Sequence, residues 1–321
     1  MPQSFLIELN QELPIASFYE VLELCGSSDC DFKFGSDRFA LVSGKVDRLK
    51  QGAFVRRISE VISTVSELSE ISAVNIPDGT FCVRFRDSSA CHDSSIETKI
   101  GEMLKGKGRI KFVNPDYVIR AYHWNRWYVC REIYSSNTKE FHQRRAPLRP
   151  FFSPVSIDPK FARFMVNISG TGTGETILDP FCGTGGILIE AHITKRKIVG
   201  IDRSLQMVTG SKLNLKFLGI KDARIINSDF LAWKADENID AIVTDLPYGR
   251  SSPTFGKSID KLYEEAFFAF SRILPKYKRC VIILSDISLL EYSKRYFITL
   301  IVIGKRVHKS LTRYFCCLVR R

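Results

Sequence analysis

None of the nine cysteines in this 321-residue chain, at 25, 30, 82, 91, 130, 182, 280, 316 and 317, belongs to a Cys-x-x-Cys pair. An odd count without metal-ligand spacing argues for reduced thiols in a cytoplasmic protein. The five histidines, at 92, 123, 142, 192 and 308, are scattered without a zinc pattern, so no metal is expected. No run of 18 apolar residues occurs, and Glu8 interrupts Phe5-Leu6-Ile7 near the start, so neither a membrane span nor a secretory leader is read here. Low-complexity tracts and internal repeats are lacking too. No Gly-Lys-Ser/Thr run follows the glycines at 183–186, which argues against a phosphate-cradling P-loop.

What the chain has in excess is positive charge, a formal +12. Residues 105–150 carry 11 Lys/Arg against 3 Asp/Glu, and residues 294–321 carry 8 against none, so the remainder is net negative. Charge gathered in this way fits a polyanion footprint, the plain alternative being a solvated face and a basic tail. With 45% hydrophobic residues, the chain is long enough for two or three domains with real cores.

Two strand-ending turns carry the chemistry. Ile239 to Val243 is an apolar strand that runs into Asp245-Leu246-Pro247-Tyr248. An exocyclic amine on a nucleobase is a poor nucleophile, because its lone pair is delocalised into the ring. A site that methylates it must hold the N–H bonds with acceptors and press the ring flat. Asp245 offers one acceptor, the Leu246 carbonyl a second and Tyr248 a stacking face, while Pro247 fixes the local backbone. Asp, Pro and Gly are also ordinary turn residues, so the motif alone is compatible with a plain strand-ending turn.

About 60 residues earlier, Ile177-Leu178-Asp179 leads into Pro180-Phe181-Cys182-Gly183-Thr184-Gly185-Gly186, a Gly-rich turn that opens a helix and suits a nucleotide cofactor. A dinucleotide remains an alternative, since Gly183-Thr184-Gly185 is a weak match and Asp202 ends the next strand. Asp179 and Phe181, however, occupy a place where a pyrophosphate wants only amides, and a carboxylate there suits a cationic amino acid moiety. S-adenosyl-L-methionine is therefore favoured. Asp202 is the candidate for the ribose hydroxyls, and Asp229, with Phe230 beside it, for the adenine amino group.

The first part of the chain alternates short strands and helices: strand Ser4 to Leu9, helix Ile15 to Leu24, strand Phe39 to Ser43. Apolar spacing predicts a helix over Arg57 to Leu68. Thr80 to Arg86 alternates as a strand, and Ser94-x-x-Glu97 predicts a capping box opening a helix over Ile96 to Leu104. Strand-like runs follow at Lys111 to Val113, Asp116 to Tyr122 and Trp127 to Ile133. The segment 135–150 is polar, basic and punctuated by Pro147 and Pro150, which predicts a linker. Beyond it, a helix begins at Asp158-Pro159, and strands near 176–179, 197–202, 224–228, 239–244 and 280–284 alternate with helices, which predicts a doubly wound parallel sheet. Phe297 to Ile303 and Tyr314 to Val319 are expected as an antiparallel hairpin at one edge.

These residues carry a family resemblance. Asp179-Pro-Phe-Cys-Gly-Thr-Gly-Gly-Ile-Leu-Ile-Glu190 and Thr244-Asp-Leu-Pro-Tyr-Gly-Arg-Ser-Ser252 resemble the archaeal tRNA guanine-N2 methyltransferases acting at position 10. Arg144-Arg-Ala-Pro-Leu-Arg-Pro-Phe-Phe-Ser-Pro154 and Val307-His-Lys-Ser-Leu-Thr-Arg-Tyr314 are similar to flanking motifs of that family. Gly79 to Phe85 and Asn114 to Arg120 resemble its THUMP domain. The resemblance implies an α/β chain: a ferredoxin-like element over 1–50, a THUMP RNA-binding domain over 51–134, the linker 135–150 and a Rossmann-like seven-stranded methyltransferase domain over 151–321. It places cofactor contacts at Asp179, Gly183, Gly185, Asp202 and Asp229 and the amine site at Asp245 to Tyr248. One departure is Leu246, which stands where the family has proline. It keeps the acceptor carbonyl but loses the ring that stiffens the turn.

The expected partner is tRNA, with the need for a small activator subunit left open. Arg144, Arg145, Arg250, His308, Lys309 and Arg313 are candidate RNA contacts, each with a surface or edge-protecting charge as its plain alternative. Alternatives in function are a guanine-N2 or adenine-N6 methyltransferase of ribosomal RNA and, in another class, a non-catalytic RNA-binding protein with a vestigial methyltransferase fold. The presence of all four carboxylates, at 179, 202, 229 and 245, argues against the last.

Overall fold

A computed structural model of the chain describes residues 3–26, 30–36 (backbone only), 38–89, 92–154, 156–247, 258–308 and 311–321. The chain forms two compact units, Met1–Ser136 and Asn137–Arg321.

The first unit contains β1 (Ser4–Leu9), α1 (Pro14–Cys25), β2 (Cys30–Ser36), β3 (Phe39–Gly44), β4 (Val55–Val65), β5 (Thr80–Asp87), α2 (Ser94–Leu104), β6 (Arg109–Ile110), β7 (Tyr117–His123) and β8 (Trp127–Ser135). All eight strands belong to one sheet in the order β2-β3-β1-β4-β8-β7-β5-β6. Helix α1 sets Phe18, Val21 and Leu24 against Ile7, Leu9, Val42 and Ile58, while α2 sets Ile100 and Leu104 against Phe81, Val83, Phe85 and Ile119. Each such large apolar side chain contributes roughly 1.5–3 kcal/mol by leaving water. The expected boundary at residue 50 falls within this shared sheet, since β4 pairs with β1 on one side and β8 on the other.

Three local expectations are corrected here. Residues expected as a helix over Arg57 to Leu68 form most of β4. Val55, Ile58, Val61, Ile62, Thr64 and Val65 are β-branched and suit a strand. The register against β8 shifts between Ile58/Ser59 and between Val61/Ser63, and these irregularities break the alternation of two, leaving apolar spacing that imitates a helix. Helix α2 begins earlier than expected, capped by Asp93, whose carboxylate accepts from the Ser95 amide. Glu97 does not close a capping box but accepts from the Phe85 amide across on β5. Lys111 to Val113 is not a strand: pairing stops at Ile110, and Phe112 and Val113 are exposed.

The second unit contains α3 (Thr138–Gln143), α4 (Pro159–Asn167), β9 (Thr176–Asp179), α5 (Gly186–Ile193), β10 (Lys197–Asp202), α6 (Leu205–Phe217), β11 (Ala223–Asn227), β12 (Ala241–Asp245), α7 (Ile259–Ile273), β13 (Arg279–Leu284), β14 (Phe297–His308) and β15 (Leu311–Arg320). Its seven-stranded sheet has the order β11-β10-β9-β12-β13-β15-β14. Strands β9 to β13 are parallel, and the last two return antiparallel as an edge hairpin. Strands β12 and β13 are buried over Ala241 to Thr244 and Cys280 to Leu284, without the alternation of a strand that is half exposed, as expected of the middle of a parallel sheet. Strand order reverses at β9, flanked by β10 on one side and β12 on the other, and a ligand crevice forms at such a reversal.

The segment expected as a linker divides between the units. Ser135 and Ser136 stay with β8, whereas residues from Asn137 onward pack in the second unit. There α3 is followed by Arg144, whose guanidinium bonds Glu190 on α5.

Candidate active site

At the carboxyl end of the parallel strands of the second unit lies a cavity of about 650 Å³. Four carboxylates line it: Asp179 at the end of β9, Asp202 at the end of β10, Asp229 just after β11 and Asp245 at the end of β12. This convergence follows from local sequence. Strands β9, β10 and β12 each stop at an acid, β11 is followed by one two residues on, and parallel pairing brings the stops to one edge.

Asp179 is buried. Its Oδ1 accepts from the Thr244 hydroxyl at 2.7 Å and from the Phe181 amide at 3.2 Å. Burial raises its pKa to about 7, against the lowering effect of those two hydrogen bonds. Asp202 accepts from the Gly183 amide at 2.9 Å and the Ser204 amide at 2.8 Å, and burial raises its pKa as well. Asp229 caps the short turn Phe230–Ala232 through the Leu231 amide and lies 3.7 Å from Arg203.

The turn after β9 is closed by its own amides. Cys182 donates to the Ile201 carbonyl, Gly183 to Asp202 and Gly185 to the Cys182 carbonyl. These are N–H groups that a pyrophosphate would require, and the surroundings are acidic. The donor set therefore fits a cationic, hydroxyl-bearing nucleoside such as S-adenosylmethionine and disfavours a dinucleotide. Apolar Ile157, Phe181, Ile187, Met207 and Leu231 complete the wall.

Of the residues expected here, Phe181, Gly183, Thr184, Phe230, Leu246 and Pro247 also line the cavity. Gly185 does not. It adopts φ +79° at the start of α5, and a Cβ there would meet Ser211 Oγ at 2.6 Å, so this glycine is needed by the turn and its packing. Phe230 is nearly buried and packs edge-on to Phe181 within the core, so its ring is not a free stacking face. Leu246 answers for the missing proline ring: its side chain is buried in the core with Tyr263 and Phe267 of α7, which holds the turn by packing. The Tyr263 hydroxyl approaches the Pro247 carbonyl at 3.5 Å.

His308 and Arg313, from the β14–β15 hairpin, line the same cavity. Arg145 is half-exposed and lies 3.3 Å from Asp158. Arg144 corrects an expectation. Its side chain is 12% exposed and its guanidinium is bound to the fully buried Glu190, which also takes Arg163 at 2.7 Å, so Arg144 anchors the unit and offers no free charge to RNA. Tyr248, Arg250 and Lys309 lie outside the described residues. Thr244 adds a residue to those expected here: its hydroxyl, visible in the sequence near the end of an apolar strand, enters the site through its bond to Asp179. Among the described residues no cluster suits a metal ion, and no helix is long and apolar enough to cross a membrane.

Comparison with known proteins places this geometry. A profile of the RMKL-like methyltransferase domain matches residues 147–314. The tRNA (guanine(10)-N2)-dimethyltransferase of Methanothermobacter thermautotrophicus is 41% identical over 226 residues, covering 67% of each chain. The chain belongs to the RMKL-like methyltransferases, with the tRNA (guanine(10)-N2)-dimethyltransferases. A second such relative, from Pyrococcus abyssi, is 37% identical over 246 residues, covering 74% of this methyltransferase and 73% of its own chain. The crystal structure of TrmN from Thermus thermophilus is 14% identical, with a TM-score of 0.58 over 99% of this chain and 100% of its own, which establishes a shared fold. The sequence resemblance and the doubly wound methyltransferase fold are thus both confirmed.

Proposed function

We propose that this methyltransferase moves a methyl group from S-adenosylmethionine to the exocyclic N2 of guanosine at position 10 of tRNA. The observation that carries the reading is the placement of Asp179 and Asp245 at the ends of adjacent strands over one acid-lined cavity, which puts cofactor and amine sites side by side. The names of the similar enzymes supply the position and favour two successive transfers.

S-adenosylmethionine supplies an electrophilic methyl group, whose bond to sulfur breaks as the bond to nitrogen forms. Asp179 is assigned to the cationic amino acid end, Asp202 to the ribose hydroxyls and Asp229 to the adenine amino group. Asp245 and the Leu246 carbonyl accept the two N–H bonds of the guanine amine and turn its lone pair towards the donor, while Tyr248 takes the flipped base on its ring. Asp245 orients and stabilises; the methylated cation is acidic enough to release its proton without a strong base. His308 and Arg313 are assigned to the RNA backbone next to the target base. Free thiols at the seven described cysteines support a cytoplasmic enzyme.

The direct test is incubation with S-adenosylmethionine and an unmodified tRNA transcript, followed by nucleoside mass spectrometry and mapping. N2-methylguanosine or N2,N2-dimethylguanosine at position 10 is expected and also gives the number of methyls. N6-methyladenosine, or product on ribosomal RNA with none on tRNA, would move the assignment to the other substrates.

A further inference from the structure

Asn214 sits fully buried on α6, outside the cavity lining, yet it joins two parts of the cavity wall. Its side-chain oxygen accepts from the Phe151 amide at 2.9 Å. Its nitrogen donates to the Phe151 carbonyl and to the Thr184 carbonyl, both at 3.0 Å. The reverse orientation would set an NH2 against an N–H and an oxygen against two carbonyls, so the surroundings determine which way the amide points. A carboxylate or a hydroxyl cannot make this set of one accepted and two donated bonds.

Phe151 is held from its other side as well. Its ring covers Gly210, one turn earlier on α6, where a Cβ would come within 2.1 Å of the ring. Shortly after it come Ser153, Pro154, Ser156 and Ile157, which form one wall of the cavity, and the Ser156 hydroxyl bonds that of Thr184 at 2.9 Å. Phe151 thus leads into one of the two walls that a cofactor must fit between and Thr184 lies within the other, and Asn214 ties their backbones together.

We propose that Asn214 is a positioning residue for S-adenosylmethionine, setting the spacing between the wall from Ser153 to Ile157 and the Gly-rich turn. This rests on the reading of the cavity as the S-adenosylmethionine site. Asn214→Asp preserves volume and the bond from the Phe151 amide but replaces two donors with a carboxylate facing two carbonyls. Gly210→Ala displaces the Phe151 ring and so disturbs the same wall without touching Asn214.

The experiment measures S-adenosylhomocysteine affinity by calorimetry, kcat and KM for each substrate, and hydrogen exchange of the ligand-free full chain. Both variants should weaken S-adenosylhomocysteine at least about tenfold, Asn214→Asp through the loss of its two donated buried hydrogen bonds and Gly210→Ala through displacement of the Phe151 wall. KM for S-adenosylmethionine should rise alongside, with tRNA affinity unchanged, and exchange should quicken over 151–154 and 183–186. Replacing Phe151 with Leu in the Gly210→Ala background should recover most of the affinity. Parental affinity in a folded Asn214→Asp protein, or a loss shared equally by tRNA, would overturn the proposal. If the parent itself bound no S-adenosylhomocysteine, the cofactor reading would fail, and unchanged exchange in the variants would then refute the tie separately.

Discussion

The Thr244 hydroxyl donates to the buried Asp179 carboxylate at 2.7 Å and thereby locks the penultimate residue of β12 to the last residue of β9. These two strands end in the two halves of the site. A single hydrogen bond therefore couples the residue assigned to the cofactor to the chain position directly before the residue assigned to the substrate amine. Thr244→Val, which keeps the shape and removes the donor, should weaken S-adenosylhomocysteine by roughly three- to tenfold, in line with the loss of an ordinary hydrogen bond. Calorimetry with unchanged affinity would assign Thr244 to packing alone.

Asp179 also makes the ligand-free protein sensitive to pH. Its carboxyl titrates at about 7 when folded and near 3.9 when unfolded, so the folded chain holds an extra proton between those values. The stability linked to that proton is complete below pH about 4 and is lost as pH rises to about 7; the raised pKa of Asp202 acts in the same sense. Asp179→Asn cannot lose the proton, so its melting temperature relative to the parent should climb between pH 5 and pH 8. A difference independent of pH would contradict the assignment.

Asp245 is assigned to the substrate amine alone. Asp245→Ala should lower kcat/KM by about 100-fold or more, as when a preorganised acceptor acting in the transition state is removed. Affinity for tRNA should stay within about twofold in a binding assay. A comparable loss of binding would give Asp245 a different role.

Glu190 carries the start of the second unit. It is fully buried and bound by Arg144 and Arg163, so Glu190→Gln leaves two sequestered cations short of a counter-charge. The expected cost is about 3–5 kcal/mol, measurable by urea unfolding. A loss under about 1 kcal/mol would show that water or rearrangement replaces the pair.

Arg313 lines the cavity, and its Nε is buried without a hydrogen-bond partner among the described residues. If it meets a phosphate, Arg313→Ala should weaken tRNA binding and reduce the slope of log affinity against log salt by about 1. A slope equal to the parent's would remove Arg313 from the RNA contacts.

The chain's own residues determined the turns that carry the chemistry. Each is written in neighbouring positions: an apolar strand, then an acid, then glycine or proline where the backbone must bend. Asp179 and Asp245 were legible for that reason, Asp202 and Asp229 as acids at or just beyond the ends of neighbouring apolar strands, and the strands behind them followed from apolar runs. Tertiary structure decided what depends on partners distant in sequence. It made β4 a strand, because its pairing with β1 and β8 and the shifts in that pairing override spacing that reads as helical. It turned Arg144 from a surface charge into a buried anchor, because Glu190 stands opposite it. It drew Phe230 into the core and let a buried Leu246 do the stiffening that a proline ring would do elsewhere. An isolated charge or ring has the same chemistry wherever it lies in a sequence. Its burial and its counterpart, which together set its energy, exist only once the chain has folded.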